Sequence, residues 1–346
     1  MKIYYYEDPL GNFGDDLNQW LWERLLPGWR GGPEGTLLSV IGTLIGPAMP
    51  HAERWVVFSS GAGYGPPPPD FNGPRWNIVC VRGPLTAQVL DLPAETAVTD
   101  GAALLGALPE LAPLASDARE GVVFMPHHKA LPAGAWEMAA QRAGIGFIDP
   151  RGDSRESIER IRRSRLVIAD AMHAAIVADT LRVPWVPVRT SPEINAFKWL
   201  DWSLSMSVPY EPVALPPSSV LEAVRSTTLP FYGNVHALAE PTAAAAREHY
   251  RRHRRMKTRA YWPLRRKLGH GAYTKLLRPL VTSYALSSWR RGEDERRIDG
   301  AAAALQAAAM RPGFLSDDNV LARRQDELLS RLYAFAVEHR VLPLAG

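Results

Sequence analysis

The sequence predicts an α/β protein made of two parallel-sheet halves followed by a helical, basic C-terminal region. Two observations carry that expectation. Short apolar runs alternate with amphipathic stretches up to about Pro230, and the clearest unit, Ser164–Val188, reads strand, turn, helix, strand. Beyond Pro230 the apolar runs stop and helix-forming composition takes over.

Taken in order, Lys2–Tyr6 reads as a strand that leads into the loop GNFGDDLN. Leu17, Trp20, Leu21, Leu25 and Leu26 then recur at helical spacing over Asp15–Leu26, with Asp15 or Asp16 as the expected N-cap and Gly11 and Gly14 for the tight turn before it. Strands are expected at Leu37–Ile41, Trp55–Phe58, Trp76–Val81 and Ala97–Thr99, and a helix at Pro84–Leu90. GAGYGPPPP, residues 61–69, can form neither. Pro109–Glu120 reads as a linker, after which the pattern restarts with a strand at Gly121–Met125, a helix at Ala133–Ala143, a strand at Gly146–Ile148 and a helix at Ser154–Arg163. A strand at Leu166–Ala169, a turn with Asp170, Met172 and His173, an alanine-rich helix and a strand after Pro184 complete the second half. Helices are expected in Pro241–His249, Ile298–Met310 and Asn319–His339. The expected units are residues 1–115, 116–230 and 231–346, the last being either a third module or helices packed across both halves.

The chain has 346 residues, 46% hydrophobic and 22% charged, which is the composition of an ordinary globular protein with ample core. Its one cysteine, Cys80, excludes an internal disulfide framework and fits a reducing cytoplasm; it sits in an apolar run and reads as a buried strand thiol. Neither a signal peptide nor an uncharged apolar run near 18 residues is visible, so the expected location is cytoplasmic, either free or peripheral at the inner face of the membrane. His249 and His253 stand at helical ligand spacing, but the arginines around them would repel a cation, and no metal site is expected. From Arg247 to Arg291 there are 14 Lys or Arg against one acid, Glu248, with aromatic residues interleaved. A solvated helical face is the plain reading of such a stretch. With no nucleic-acid-binding motif beside it, contact with a membrane surface or an anionic acceptor is favoured over nucleic acid.

In parallel sheets, ligands gather at the carboxyl ends of strands and at helix N-termini. His173 stands at such a junction and can move a proton near neutral pH. Arg82 stands at another, where its planar fork suits a carboxylate or phosphate, and His127, His128 and Lys129 follow the first strand of the second half. Each also has a structural alternative: His173 as a packed turn residue, Arg82 in an ion pair, His127 or His128 as a loop residue, Asp15 as a cap.

Several segments line up along the chain: GNFGDDLN at Gly11–Asn18, GTLIG at Gly42–Gly46, SGAGYG at Ser60–Gly65, VRGPLTAQVL at Val81–Leu90, TDGAALL at Thr99–Leu105 and MPHHK at Met125–Lys129. ADAMHAAIVADTLRVPWVPV at Ala169–Val188 and EINAFKWLDW at Glu193–Trp202 complete the series. In this order the chain resembles the polysaccharide pyruvyl transferase family, in its bacterial exopolysaccharide branch, over roughly residues 1 to 210. The resemblance implies two Rossmann-like domains, GT-B-like, with the site in the cleft between them. It also implies phosphoenolpyruvate as donor, no redox cofactor, and a pyruvate ketal formed across two hydroxyls of a sugar, free or lipid-linked, with release of phosphate. The expected catalytic set is His173, Asp15 and His127, and the expected ligand-binding set is Arg82, His128, Lys129, Asn12 and Lys198. Within it, His173 takes donor binding or protonation, His127 or His128 contacts phosphate, and Asp15 with Asn12 meets the acceptor hydroxyls. Many family members carry an arginine two residues before the strand-end histidine. Here that position is Ala171, so either the positive charge comes from Arg82, Lys129, Arg189 or Lys198, or donor binding is altered.

Two other functions fit the same composition. A GT-B glycosyltransferase would need an acid late in the second half to hold a ribose, and Ser191–Trp202 offers only Glu193 and Asp201, neither in a matching context. A non-catalytic carbohydrate-binding assembly factor would use the 11 tryptophans and the basic tail, but would not need His, Arg and Lys at strand ends.

Overall fold

The computed structural model describes residues 1–341. Two all-parallel sheets form the framework. The first runs β1 (Lys2–Tyr4), β2 (Thr36–Ser39), β3 (Arg54–Phe58) and β4 (Trp76–Cys80), with neighbours in sequence paired in space. The second contains β5 (Glu120–Met125), β6 (Gly146–Phe147), β7 (Ser164–Ala169), β8 (Trp185–Arg189) and β9 (Val213–Ala214) in the order β6-β5-β7-β8-β9. That order reverses direction at β5, so it carries a topological switch point between β5 and β7, as in doubly wound sheets. The first sheet winds one way and has no reversal.

The helices are α1 (Phe13–Asp16), α2 (Leu21–Leu25), α3 (Pro84–Val89), α4 (Trp136–Ala143), α5 (Ser154–Arg162), α6 (Met172–Thr180), α7 (Ala196–Ser205), α8 (Val220–Thr228), α9 (Ala243–Lys257), α10 (Trp262–Gly271), α11 (Arg278–Val281), α12 (Ser287–Ala309) and α13 (Asp318–Glu338). Most follow the expected positions, because a strand buried on both faces reads as an apolar run and a surface helix as a 3.6-residue period. Three differences have physical causes. The helix expected over Asp15–Leu26 begins at Phe13, with Asn12 at the N-cap, and breaks through a 3-10 turn at Leu17–Gln19. Neither Asp15 nor Asp16 is the cap: the Asp16 carboxylate accepts from the Asn12 N–H, and the Asp15 carboxylate turns to the Asn12 amide. Ala97–Thr99 makes a single bridge to Val81 rather than a strand, since it sits beyond the edge of the sheet. The linker over Pro109–Glu120 holds two 3-10 turns, and Glu120 already belongs to β5.

The C-terminal helices pack across both halves. Ile298, Ala301, Leu305 and Ala308 of α12 join Phe124, Trp136 and Ile168 in the core beneath the second sheet. Leu321, Leu328, Leu332 and Phe335 of α13 join the core of the first, where Arg331 donates 2.7 Å to the Val79 carbonyl. Cys80 is buried, and burial pushes its thiol up to about 12.

The halves are stapled beneath the cleft. Arg82 and Asp201 are fully buried and pair at 3.0 Å, and Asp201 also accepts from the Thr86 N–H at 2.8 Å and hydroxyl at 2.6 Å. α7 thereby locks to the N-terminus of α3. Trp199 and Trp202 of α7 wedge against Trp185 of β8, with ring centroids 6.2 and 5.3 Å away, so a polar staple and an aromatic wedge fix the same helix.

Candidate active site

The carboxyl ends of the two sheets face each other across a cleft of about 430 Å³. Most of its wall comes from strand-end loops or the helices that follow them. Tyr6 and Asn12–Asp15 lie past β1, Thr43–Ala48 past β2, Tyr64 past β3, His127–Lys129 past β5, Ala171–His173 past β7, and Ile194, Asn195, Lys198 and Trp199 past β8. Lys257, at the end of α9, closes it from the C-terminal region. The His127–Lys129 and Ala171–His173 segments flank the β5/β7 switch point, where diverging crossovers leave a crevice open.

Seven of the eight expected site residues line this cleft: Asn12, Asp15, His127, His128, Lys129, His173 and Lys198. Arg82 does not. Its Nε meets Asp201, its Nη1 donates 2.9 Å to the Thr43 hydroxyl and its Nη2 donates 3.2 Å to the Ala62 carbonyl, so the guanidinium sits one layer behind Thr43 with its fork occupied. The residue is a structural ion pair that holds up the cleft wall. Its partner Asp201 lies 119 positions along the chain, which left this destination open in the sequence.

His173 enters the cleft from the N-terminus of α6. Its ring lies against Gly14 so closely that a Cβ there would stand 1.8 Å from Nδ1; glycine is required for that approach. Its Nε2 stands 3.6 Å from Asp100 Oδ2, beyond hydrogen-bond range, and neither atom has another partner among the described residues. Burial pushes the Asp100 carboxyl up, but His173 and then Arg82 more than offset this and hold it below its ordinary value. An ionised Asp100 carboxylate therefore stands behind the His173 ring. Asp15, across the ring, has its carboxyl raised to about 6 by burial, against the opposing pull of His173 and Lys198. A carboxyl titrating there can take or give a proton near neutrality.

The histidines past β5 supply hydrogen-bonding groups rather than charge. Burial, the neighbouring His128 and the nearby lysines hold His127 well below its ordinary value. Burial and Lys129 bring His128 to about 4, although Asp8 lies 3.5 Å from its Nε2. The two rings stack with centroids 4.4 Å apart. Their loop is pinned by Asp170, a buried carboxylate that accepts from the His127 N–H at 2.8 Å, the Thr190 N–H at 3.1 Å and the Thr190 hydroxyl at 2.7 Å. Asp170 thus ties the ends of β5, β7 and β8 together.

Positive charge in the cleft comes from Lys129, Lys198 and Lys257. Arg189 lies away from it, donating 3.1 Å to the Leu238 carbonyl. Lys198 Nζ stands 3.3 Å from the Tyr64 hydroxyl. Burial pushes that phenol up, but Lys198 and Lys129 more than offset it and leave it below its ordinary value. Lys257 donates to the Tyr64 carbonyl, and burial beside Arg266 lowers its ammonium to about 8. Neither Tyr64 nor Lys257 is a site candidate from sequence. The first lies in a Gly/Pro-rich loop and the second in a run of basic residues, and neither context separates a cleft residue from its neighbours.

The sequence pattern of the polysaccharide pyruvyl transferase family matches residues 112–192. Among curated proteins, the succinoglycan biosynthesis protein ExoV of Rhizobium meliloti (strain 1021) is 43% identical over 226 residues, which is 65% of this chain and 71% of that protein. The chain belongs to the polysaccharide pyruvyl transferase family. No solved structure matches it. As a family member it is a transferase, and the matched residues span the switch-point wall of the cleft, with His127, His128, Lys129 and His173 on it and Asp170 buried behind it. Asp15, Lys198 and Lys257 lie outside that match and complete the same cavity. Ala171 lines the cleft, and the three lysines are the cations that share the space with it.

Proposed function

We propose that this chain transfers the pyruvyl group of phosphoenolpyruvate to two hydroxyls of one sugar, in an exopolysaccharide or its lipid-linked repeat unit, forming a ketal and releasing phosphate. The observation that carries this reading is three lysines sharing one cleft with the Asp15 carboxyl and His173 in a pyruvyl transferase family member. A donor with both a carboxylate and a phosphate needs several cations in one place. The halves, one doubly wound and both presenting carboxyl edges to a shared cleft, support reading the architecture as two Rossmann-like, GT-B-like domains. The kinship with a succinoglycan biosynthesis protein supports an exopolysaccharide acceptor.

In this reaction a proton goes to the methylene carbon of the enol, leaving a cation-like centre at the carbon that bears the phosphate. A sugar hydroxyl attacks that centre and loses its proton to a base. A second hydroxyl of the same sugar then displaces phosphate, which departs with the bridging oxygen and takes up that hydroxyl's proton to leave as hydrogen phosphate, and the ketal closes. His173, with Asp100 behind it, is suited to bind the donor and deliver the first proton. Asp15 is suited to take the hydroxyl proton, with the Asn12 amide orienting its carboxylate. Lys129, Lys198 and Lys257 hold the anionic donor, and the His127 and His128 rings offer neutral hydrogen bonds to the phosphate.

No observation favours a nucleotide-sugar donor. Asp201 is consumed by Arg82 and Thr86, and Glu193 pairs with Arg225 and accepts 3.1 Å from Asn234, so neither acid of that stretch is free for a ribose. The test is phosphate release from phosphoenolpyruvate, with and without a mixture of free and lipid-linked oligosaccharides, for the wild type and His173→Ala. Binding of phosphoenolpyruvate is measured in the same samples. Acceptor-dependent release that vanishes in the variant is expected. Absence of any phosphoenolpyruvate binding, or sugar binding without release under all acceptors, overturns the reading.

A further inference from the structure

The charge run beyond Arg247 is not an evenly solvated face. On α9, Arg247, Arg251, Arg252 and Arg255 line a cavity of about 590 Å³, continued by Arg259 and Tyr261, and the one acid on its wall is Glu248. Tyr261 also borders a second cavity, of about 560 Å³, walled by Phe231, Leu264, Leu268, Ala272 and Leu277. A cationic hollow and an apolar hollow therefore share an edge.

The apolar side extends further. Helix continues from Trp262 to Val281 through a π-helical turn at Ala272–Leu277, and along it Leu264, Leu268, Leu276 and Leu280 stand four residues apart in two pairs, with Ala272 at the position between them. They are 60%, 64%, 68% and 59% exposed. Phe231, Tyr284 and Trp289 are exposed beside the same segment. A globular protein rarely leaves this many large apolar side chains in water on one segment without something to cover them. Between Glu248 and Glu293 the chain has no acid, and Arg265, Arg266, Lys267, Lys275 and Arg278 are interleaved with the leucines.

We infer that this face, α9 through α11, is a docking surface for an anionic lipid bilayer. The leucines enter the headgroup–acyl boundary, Tyr261, Tyr284 and Trp289 sit at the interface, and the basic residues extend to the lipid phosphates. The choice of a bilayer over a protein rests on charge: the flank is cationic apart from Glu248, and an apolar stripe with a cationic flank matches an interface with apolar acyl chains below and anionic headgroups above. No helix among the described residues is long and apolar enough to cross a membrane, so the segment lies on the surface. α9 carries this face and also Lys257 of the cleft, so docking brings the cleft next to the bilayer.

The test is sedimentation of the full chain with vesicles of equal parts phosphatidylglycerol and phosphatidylcholine, and with phosphatidylcholine alone. No donor or acceptor is present, so the outcome is independent of the transfer reaction. Binding to the anionic vesicles is expected, weakening about tenfold or more as salt rises from low to several times physiological strength. Leu264→Asp/Leu268→Asp and, separately, Arg252→Gln/Arg255→Gln should each lower binding about tenfold or more with an unchanged circular dichroism spectrum. Equal binding to both vesicle types, no binding, or full binding by the leucine variant overturns the inference. So does concentration-dependent self-association that the leucine variant abolishes, which would assign the face to a second copy of the chain.

Discussion

Asp15 shows how one side chain ties stability to chemistry. Its carboxyl titrates at about 6 instead of 3.8 because burial outweighs His173 and Lys198. A raised carboxyl pKa destabilises the fold as pH climbs from the unfolded value through the folded one, because the unfolded chain ionises first. Asp15→Asn is therefore expected to raise unfolding stability above pH 6 by up to about 3 kcal/mol, read by urea denaturation, and to change it little below pH 4. The same variant should lower kcat by about a hundredfold or more, and the wild-type rate should fall off on the acid side near pH 6 as the base is protonated. A stability gain without loss of rate would remove Asp15 from the chemistry and leave it a buried acid.

At the scale of elements, α9 is the piece whose sequence conceals most of its work. It stacks Tyr250 on Phe197 with centroids 4.9 Å apart, donates from the Tyr250 hydroxyl to the Gly65 carbonyl at 2.6 Å, and places Lys257 in the cleft. Lys257→Met is expected to raise KM for phosphoenolpyruvate about tenfold with little change in kcat, since it removes an anchoring cation and no proton donor. Because that ammonium titrates at about 8, wild-type donor affinity should weaken as pH rises past 8, and this dependence should vanish in the variant. α9 also packs His249 and His253 against His236, with ring centroids 4.6 to 6.0 Å apart. Burial lowers all three below the ordinary 6.5, and His253 to about 4, so the fold prefers them neutral. Their contribution is complete above pH 6.5 and is lost as pH falls toward 4, where the unfolded chain binds more protons. Thermal unfolding should show a drop in Tm over that window, and His236→Phe should flatten it. An unchanged slope in the variant would clear the cluster of any part in acid sensitivity.

For the whole molecule, the joint between the halves decides whether the cleft exists. The staple of Arg82, Asp201 and Thr86 has no solvent to fall back on, so removing one partner leaves a buried charge uncompensated. Arg82→Met is expected to cost about 3–5 kcal/mol by chemical denaturation, and adding Asp201→Leu should restore much of it. A cost near that of a surface ion pair, below about 1 kcal/mol, would mean that the halves are held by their apolar core alone.

The sequence alone determined the α/β class, the alternation of elements through both halves, and the residues at the strand ends of the second half. These depend on local patterns: an apolar run buried on both faces, a 3.6-residue period, a histidine where strand hands over to helix. His127, His128, Lys129 and His173 were legible for that reason. Only the tertiary structure decided that Arg82 turns away to Asp201 rather than to a ligand, that Lys257 reaches Tyr64 from 193 positions away, and that Asp100 stands behind His173. It also decided that the helices past Pro230 divide between the two sheets. Such pairings join residues far apart in the chain, and which partner a buried charge finds is set by packing that no local window contains.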